Sequence, residues 1–121
     1  MRDLLGDREI DGFCATRGRW ERRGQHLVGE ATAVSFAAAI AWVIRIAEAA
    51  EDLDHHPDID IRWRTLTFRL TTHSAGGLTD LDLRLADRID AIVDAVDAVD
   101  AVDAVDAMDA MDAGEGNEAA G

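Results

Sequence analysis

Apolar positions change their spacing along this chain, and the changes divide it into elements. From Trp20 the chain reads as extended: Trp20-Glu21-Arg22-Arg23, then Gly24-Gln25, then His26 to Val34. This predicts a hairpin turning near Gly24-Gln25, with Gly29 interrupting its second strand. Ser35 has the chemistry of a helix N-cap. Behind it Phe36, Ile40, Val43, Ile44 and Ala47 recur at three- and four-residue spacing, which predicts an alanine-rich helix with one apolar stripe. The helix should run to about Leu53, because Pro57 disfavours helical geometry at His56. Ile59, Ile61 and Trp63 then alternate with Asp60, Arg62 and Arg64; Leu66, Phe68 and Leu70 alternate with Thr67, Arg69 and Thr71. Each run predicts a half-buried strand. Gly76-Gly77 breaks the pattern. Thr79, with Asp82 three residues on, resembles a capping box with Asp in place of Glu. Leu81, Leu85, Ile89, Ile92, Val96 and Val99 make the stripe of a last helix.

Residues 1–19 are weakly patterned. Leu4, Leu5, Ile10 and Phe13 suit a short helix, but Gly6 and Gly12 argue against a firm one. The order strand, strand, helix, strand, strand, helix predicts an α+β fold. Its form is a two-layer sandwich: a four-stranded antiparallel sheet with helices on one face. The expected division is a domain over 20–100, preceded by the 1–19 segment and followed by an acidic low-complexity tail over 101–121.

The net charge of -13 is unevenly spread. Residues 91–121 hold nine acids and no Arg or Lys, and the other ninety residues carry a net of -4. An acidic chain repels a phosphate backbone, so nucleic acid is not an expected partner. The longest apolar run, Phe36 to Ile44, is far short of the roughly 20 residues that span a bilayer. The charged N-terminus carries no signal-peptide pattern. Cys14 is the only cysteine, which excludes an intrachain disulfide. A cytoplasmic protein with no membrane contact is the expectation.

Between Glu51 and Asp82 lie three of the four histidines. Three residues separate Glu51 from His55-His56-Pro57; five more precede Trp63, nine more precede His73, and eight more precede Asp82. Histidine exchanges protons near neutral pH, so three of them gathered by folding can serve both proton transfers of an elimination. Taken alone, His55-His56 would read as a helix C-terminus favoured by positive charge, and Asp82 as an acid in a helix's first turn. A metal site is the rival chemical reading. Adjacent histidines tend to point apart, and no ligand spacing accompanies them, so no metal is expected.

The full set of spacings resembles the signature of pterin-4a-carbinolamine dehydratases (4a-hydroxytetrahydrobiopterin dehydratases). The wider resemblance runs from about Trp20 to about Ile89. It includes Phe36 to Glu51, similar to the family's long helix, and Gly77-Leu78-Thr79, similar to the start of its last helix. The resemblance implies a lyase that dehydrates a 4a-hydroxytetrahydropterin to the quinonoid dihydropterin. It implies a catalytic cluster of His55, His56 and His73, with Asp82 and Glu51 orienting imidazole. Pro57 would fix the chain direction, and Thr72 and Ser74 would offer hydroxyls to the pterin's polar edge. Trp63 is expected in the core or the pocket wall, and His26 as an exposed strand residue. The pterin is the substrate, so no cofactor is expected. A homodimer or homotetramer is implied. The alternative is a binding or assembly module of the same fold, acting on another protein.

Beyond about Val93 the chain repeats Asp-Ala-Val, later Asp-Ala-Met. Three helical residues advance about 300°, so each unit slips about 60° and the valines spiral around a helix. Aspartates three apart also repel one another. The repeat is expected to extend the last helix for a few turns and then lose order past about residue 105. Truncation after Ala104 should leave folding and activity nearly intact and lower solubility, as net charge moves from -13 to -8 with the loss of three aspartates and two glutamates. Thermal melts and precipitation assays on the two chains check this; a truncated chain that unfolds would show that the repeat packs as structure.

Overall fold

The computed structural model describes residues 3–95. The chain runs α1 (Asp7–Thr16), β1 (Glu21–Arg23), β2 (His26–Thr32), α2 (Phe36–Leu53), β3 (Asp58–Arg62), β4 (Thr65–Leu70), a single 3-10 turn (His73–Ala75) and α3 (Asp80–Asp94). The four strands form one antiparallel sheet in the order β1-β2-β4-β3. Leu27 and Ala31 of β2 pair with Leu70 and Leu66 of β4, and Gly29 pairs with Phe68. These positions share one face by the two-residue period of a strand. That face meets Ile10 and Phe13 of α1, Ala38, Ala39, Trp42 and Ile46 of α2, and Leu85, Ala86, Ile89 and Val93 of α3 in one apolar cluster. The expected α+β two-layer arrangement is therefore present, with a third helix at its N-terminal end.

That helix departs from the sequence expectation. Gly6 lies at its N-cap and Gly12 faces solvent, so neither interrupts a packed surface. Tertiary contact supplies what propensity lacks: Ile10 is 1% exposed, Arg17 stacks over Phe13 at 4.1 Å, and Arg22 pairs with Asp7 at 2.7 Å.

The bounds of α2 match expectation. Ser35 accepts a hydrogen bond from the amide of Ala38, and the helix ends at Leu53. Its buried face does not. The core takes Ala38, Ala39, Ala41, Trp42, Ile46, Ala49 and Ala50. Phe36 and Ile44 of the expected stripe are 52% and 47% exposed, Ile40 and Val43 are half-buried, and Ala47 is exposed. The helix is apolar nearly all round, and the alanine side lets its axis approach the sheet most closely. Trp63 also departs from expectation: it is 71% exposed, in the two-residue turn that joins β3 to β4. It adopts a positive φ of 57° there, which ends the alternation of β3 at Arg62. On α3, Leu85 and Ile89 are buried as expected, with Val93 in place of the half-buried Leu81 and Ile92. Val96, Val99 and the continuation into the repeat lie outside the described residues.

Two close fits lock the β1 end. Trp20 donates from its indole to Asp90 at 2.9 Å, and Asp90 also pairs with Arg19 at 2.5 Å. The hydrogen bond that Arg19 donates to Asp94 is the largest influence raising its pKa, so partial burial leaves this cation charged. The Trp20 ring lies against Gly29, where an added Cβ would stand 2.7 Å from a ring carbon. This is why glycine interrupts β2. Gly29→Ala should lower stability by about 1–3 kcal/mol, the usual cost of overpacking a filled core. Urea unfolding checks this; an unchanged midpoint would show that the ring moves freely.

Candidate functional site

The C-terminus of α2 sends its two histidines in opposite directions. Asp54 takes the left-handed conformation (φ 52°, ψ 45°). The amide of His55 then donates to the Ala50 carbonyl at 3.0 Å, and that of Asp54 to Glu51 at 3.2 Å. This pattern of backward bonds closes a helix end. It turns His55 into the protein, where it is 8% exposed, and leaves the side chain of His56 56% exposed. His56 pairs through Nε2 with Glu51 at 2.7 Å, in the last turn of α2. Pro57, half-buried, then leads the chain into β3.

The N-terminus of α3 supplies the partner for His55. The expected capping box is present: Thr79 accepts from the Leu81 amide at 3.3 Å, and Asp82 Oδ2 accepts from the Thr79 amide at 2.8 Å. Asp82 is wholly buried, and its Oδ1 lies 2.6 Å from His55 Nε2. Oδ2 also accepts the Thr72 hydroxyl at 2.7 Å. The carboxylate thus has three hydrogen-bonding groups around it, which makes its burial tolerable.

His73 follows Thr72 directly, on the exposed 3-10 turn, with Ser74 exposed beside it. The structure therefore joins His55, Asp82 and Thr72 by direct contacts, with His73 one residue along the chain. Glu51 and His56 form a second pair beside them. His26, expected to be exposed, is half-buried at the start of β2, where it pairs with Arg23 across the first hairpin. Cys14 lies on α1, where burial, with Asp11 beside it, pushes its thiol pKa up. One member was missed from the sequence as part of the site. The Thr79 hydroxyl lies 2.8 Å from that of Thr72, and its helix-cap position was the only signal.

Proton positions in the buried group follow from donor chemistry. A carboxylate oxygen only accepts, so His55 Nε2 carries the proton and donates to Oδ1. This leaves Nδ1 as the lone-pair nitrogen of neutral His55. Nδ1 has no protein partner among the described residues and is not sealed from solvent. The arrangement offers one oriented imidazole with a free basic nitrogen, plus two exposed imidazoles on adjoining segments. Among the described residues, no three His, Cys, Asp or Glu side chains converge in a group suited to a metal ion.

Comparison with known proteins places this geometry in context. Residues 3–92 match the family model described as pterin 4 alpha carbinolamine dehydratase. The chain is 53% identical over 90 residues to a protein of Nocardia farcinica that carries the provisional name pterin-4-alpha-carbinolamine dehydratase, covering 74% of this chain and 95% of that one. It is 54% identical over 87 residues to a Mycobacteroides abscessus protein of the same provisional name, covering 72% and 93%. Among solved structures, it is similar to a transcriptional coactivator/pterin dehydratase from Brucella melitensis, with a TM-score of 0.72 and 26% identity over 75% of this chain and 99% of that one. A pterin dehydratase-like protein identified as a RuBisCO assembly factor in the alpha-carboxysome shares the fold, with a TM-score of 0.51 and 21% identity over 62% and 87%.

Proposed function

The chain belongs to the pterin 4 alpha carbinolamine dehydratase family, and we propose that it dehydrates a 4a-hydroxytetrahydropterin by histidine acid–base catalysis, in the recycling of a pterin cofactor. The observation that carries this reading is the buried Asp82 holding His55 by one nitrogen while the other stays free. In the reaction the C4a–O bond breaks and the hydroxyl leaves as water, taking a proton from a general acid. The N5 proton passes to a base, and its bonding electrons close the C=N bond of the quinonoid product. His55 and His73 handle these protons. His56, paired with Glu51, holds and polarises the pterin, and Ser74 offers a hydroxyl to its polar edge. The pterin is itself the substrate, so the reading needs no cofactor and no metal. It is set in the cytoplasm; no helix among the described residues is long and apolar enough to cross a membrane. The alternative of a binding or assembly module has a shared fold behind it, at an identity too low to carry a role.

His55→Ala and His73→Ala should each cut catalysed dehydration at least about 10²-fold, the lower range for general acid–base catalysis. The assay is turnover of a chemically generated carbinolamine, with a prolonged chelation control that should change nothing. Near-wild-type turnover in both variants would sink the assignment, and loss on chelation would favour a metal.

Self-association is the second part of this reading, and the outward face of α2 supports it. Phe36, Ile40, Val43 and Ala47 follow the alternating four-three spacing of a helix–helix seam. Phe36 and Ile44 are about half exposed on that face, and Val34 and Trp63 add 80% and 71% exposed apolar side chains. A second copy carries the same seam, so a two-fold dimer covers both at once, and a further pairing gives a tetramer. Ile44→Glu should shift the mass seen by light scattering toward the monomer. A wild-type chain that is already monomeric at micromolar concentration would refute the self-association.

A further inference from the structure

We propose that Thr72 is a positioning residue, whose hydroxyl couples the turn carrying His73 to the carboxylate that holds His55. This deepens the dehydratase reading and rests on it for the kinetic part of its test. Thr72 is 5% exposed, between β4 and the 3-10 turn. Its backbone carries that turn: its carbonyl accepts the amides of Ala75 and Gly76 at 3.0 Å each and that of Gly77 at 3.4 Å. Its own amide donates to the Gly77 carbonyl at 3.0 Å. Hence the placement of His73 and Ser74 follows the placement of Thr72.

The side chain faces the other way, into the buried group. The direction of each hydrogen bond there is determined. Asp82 Oδ2 only accepts, so Thr72 donates its single hydroxyl proton to it. The Thr72 oxygen must then accept from the Thr79 hydroxyl. The Thr79 oxygen in turn accepts the Leu81 amide. The chain of donors runs Thr79 to Thr72 to Asp82, and His55 donates to the same carboxylate from the opposite side. Thr72 therefore has no proton left for a ligand. Its hydroxyl fixes the rotation of the carboxylate, and with it the plane of the His55 ring. One residue thus sets the position of two histidines that lie eighteen residues apart in sequence. A misplacement of about 1 Å at such a site costs on the order of 10²-fold in rate.

The test compares Thr72→Val, which keeps the shape and removes the hydroxyl, with Thr72→Ser, which keeps the hydroxyl, in the full-length chain. Thr72→Val should lower kcat for the carbinolamine by about 10-fold to 10²-fold with KM within about twofold, and Thr72→Ser should restore kcat to within a few fold. In parallel, ¹⁵N NMR of the imidazoles reads the tautomer of His55. The wild type should show a protonated Nε2 and an unprotonated Nδ1 in the neutral ring, and Thr72→Val a shifted or mixed pattern. A raised KM with unchanged kcat would assign Thr72 to substrate contact and overturn the proposal. An unaltered His55 spectrum in Thr72→Val would overturn it too, as would Thr72→Ser as impaired as Thr72→Val. The spectroscopic arm needs no turnover, so a wild-type chain without dehydratase activity would defeat the functional reading and leave Thr72's role still decided by the spectrum. Should Thr72→Val fail to fold, Thr72→Ala is read by the same two criteria.

Discussion

A buried carboxylate at the start of a helix organises this molecule. Asp82 is wholly removed from water, and a buried charge without partners costs several kcal/mol. It recruits its donors from three places: the end of α2, the end of β4 and the cap of α3. His55 comes from 27 residues upstream and Thr72 from 10. Satisfying one side chain therefore sets three element ends against each other. The N-terminal dipole of α3 favours the same negative charge, and the amide of Thr79 is one of the donors that a helix start leaves free. Stability of the fold and assembly of the site are one electrostatic problem with one solution.

The adjacent histidines show how local backbone turns that solution into two environments. A left-handed Asp54 closes α2 and directs His55 inward, while His56 stays on the surface with Glu51. The extended geometry that Pro57 demands of its predecessor keeps the two rings from sharing a face. One imidazole is held rigidly by a buried partner; the other has an exposed partner and solvent around it. The two groups suit different tasks because their surroundings differ, although their chemistry is the same.

Much of this was legible in the sequence where a single residue type has a single physical use. Ser35 and Pro57 bound α2, Gly24 marks the first hairpin turn, and the Thr79–Asp82 pair marks the start of α3. The spacing of the histidines singled out His55, His56 and His73, of which the structure bonds His55 directly to Asp82. Elements held by tertiary contact were less visible. Helix α1 has one glycine at its N-cap, another inside it and few apolar residues, and it is held by Ile10, Phe13 and its ion pair to β1. The buried face of α2 was misread because the helix is apolar on nearly every side, so periodicity alone has no contrast to report. Trp63 was read as a strand residue because its positive φ stands where Asn or Gly is the usual turn signal. The Thr72–Thr79 contact leaves no trace in spacing, since it depends on two side chains meeting across a loop.

The division of labour within the site also says which residues carry information about chemistry. Asp82 and Thr79 cap α3, and His55 satisfies a buried charge; removing any of them disturbs the fold. A chain of this architecture that had given up dehydration would still have a physical reason to keep all three. His56, Glu51 and His73 are different. They are exposed, and the His56–Glu51 contact is a surface pair of the kind that adds about 0–1 kcal/mol. Stability gives little reason for two exposed imidazoles to stand beside the buried one. Their joint presence on segments anchored by Asp82 and Thr72 is not required by the fold, and it stands beside the free Nδ1 of His55 as support for the proposed proton transfer.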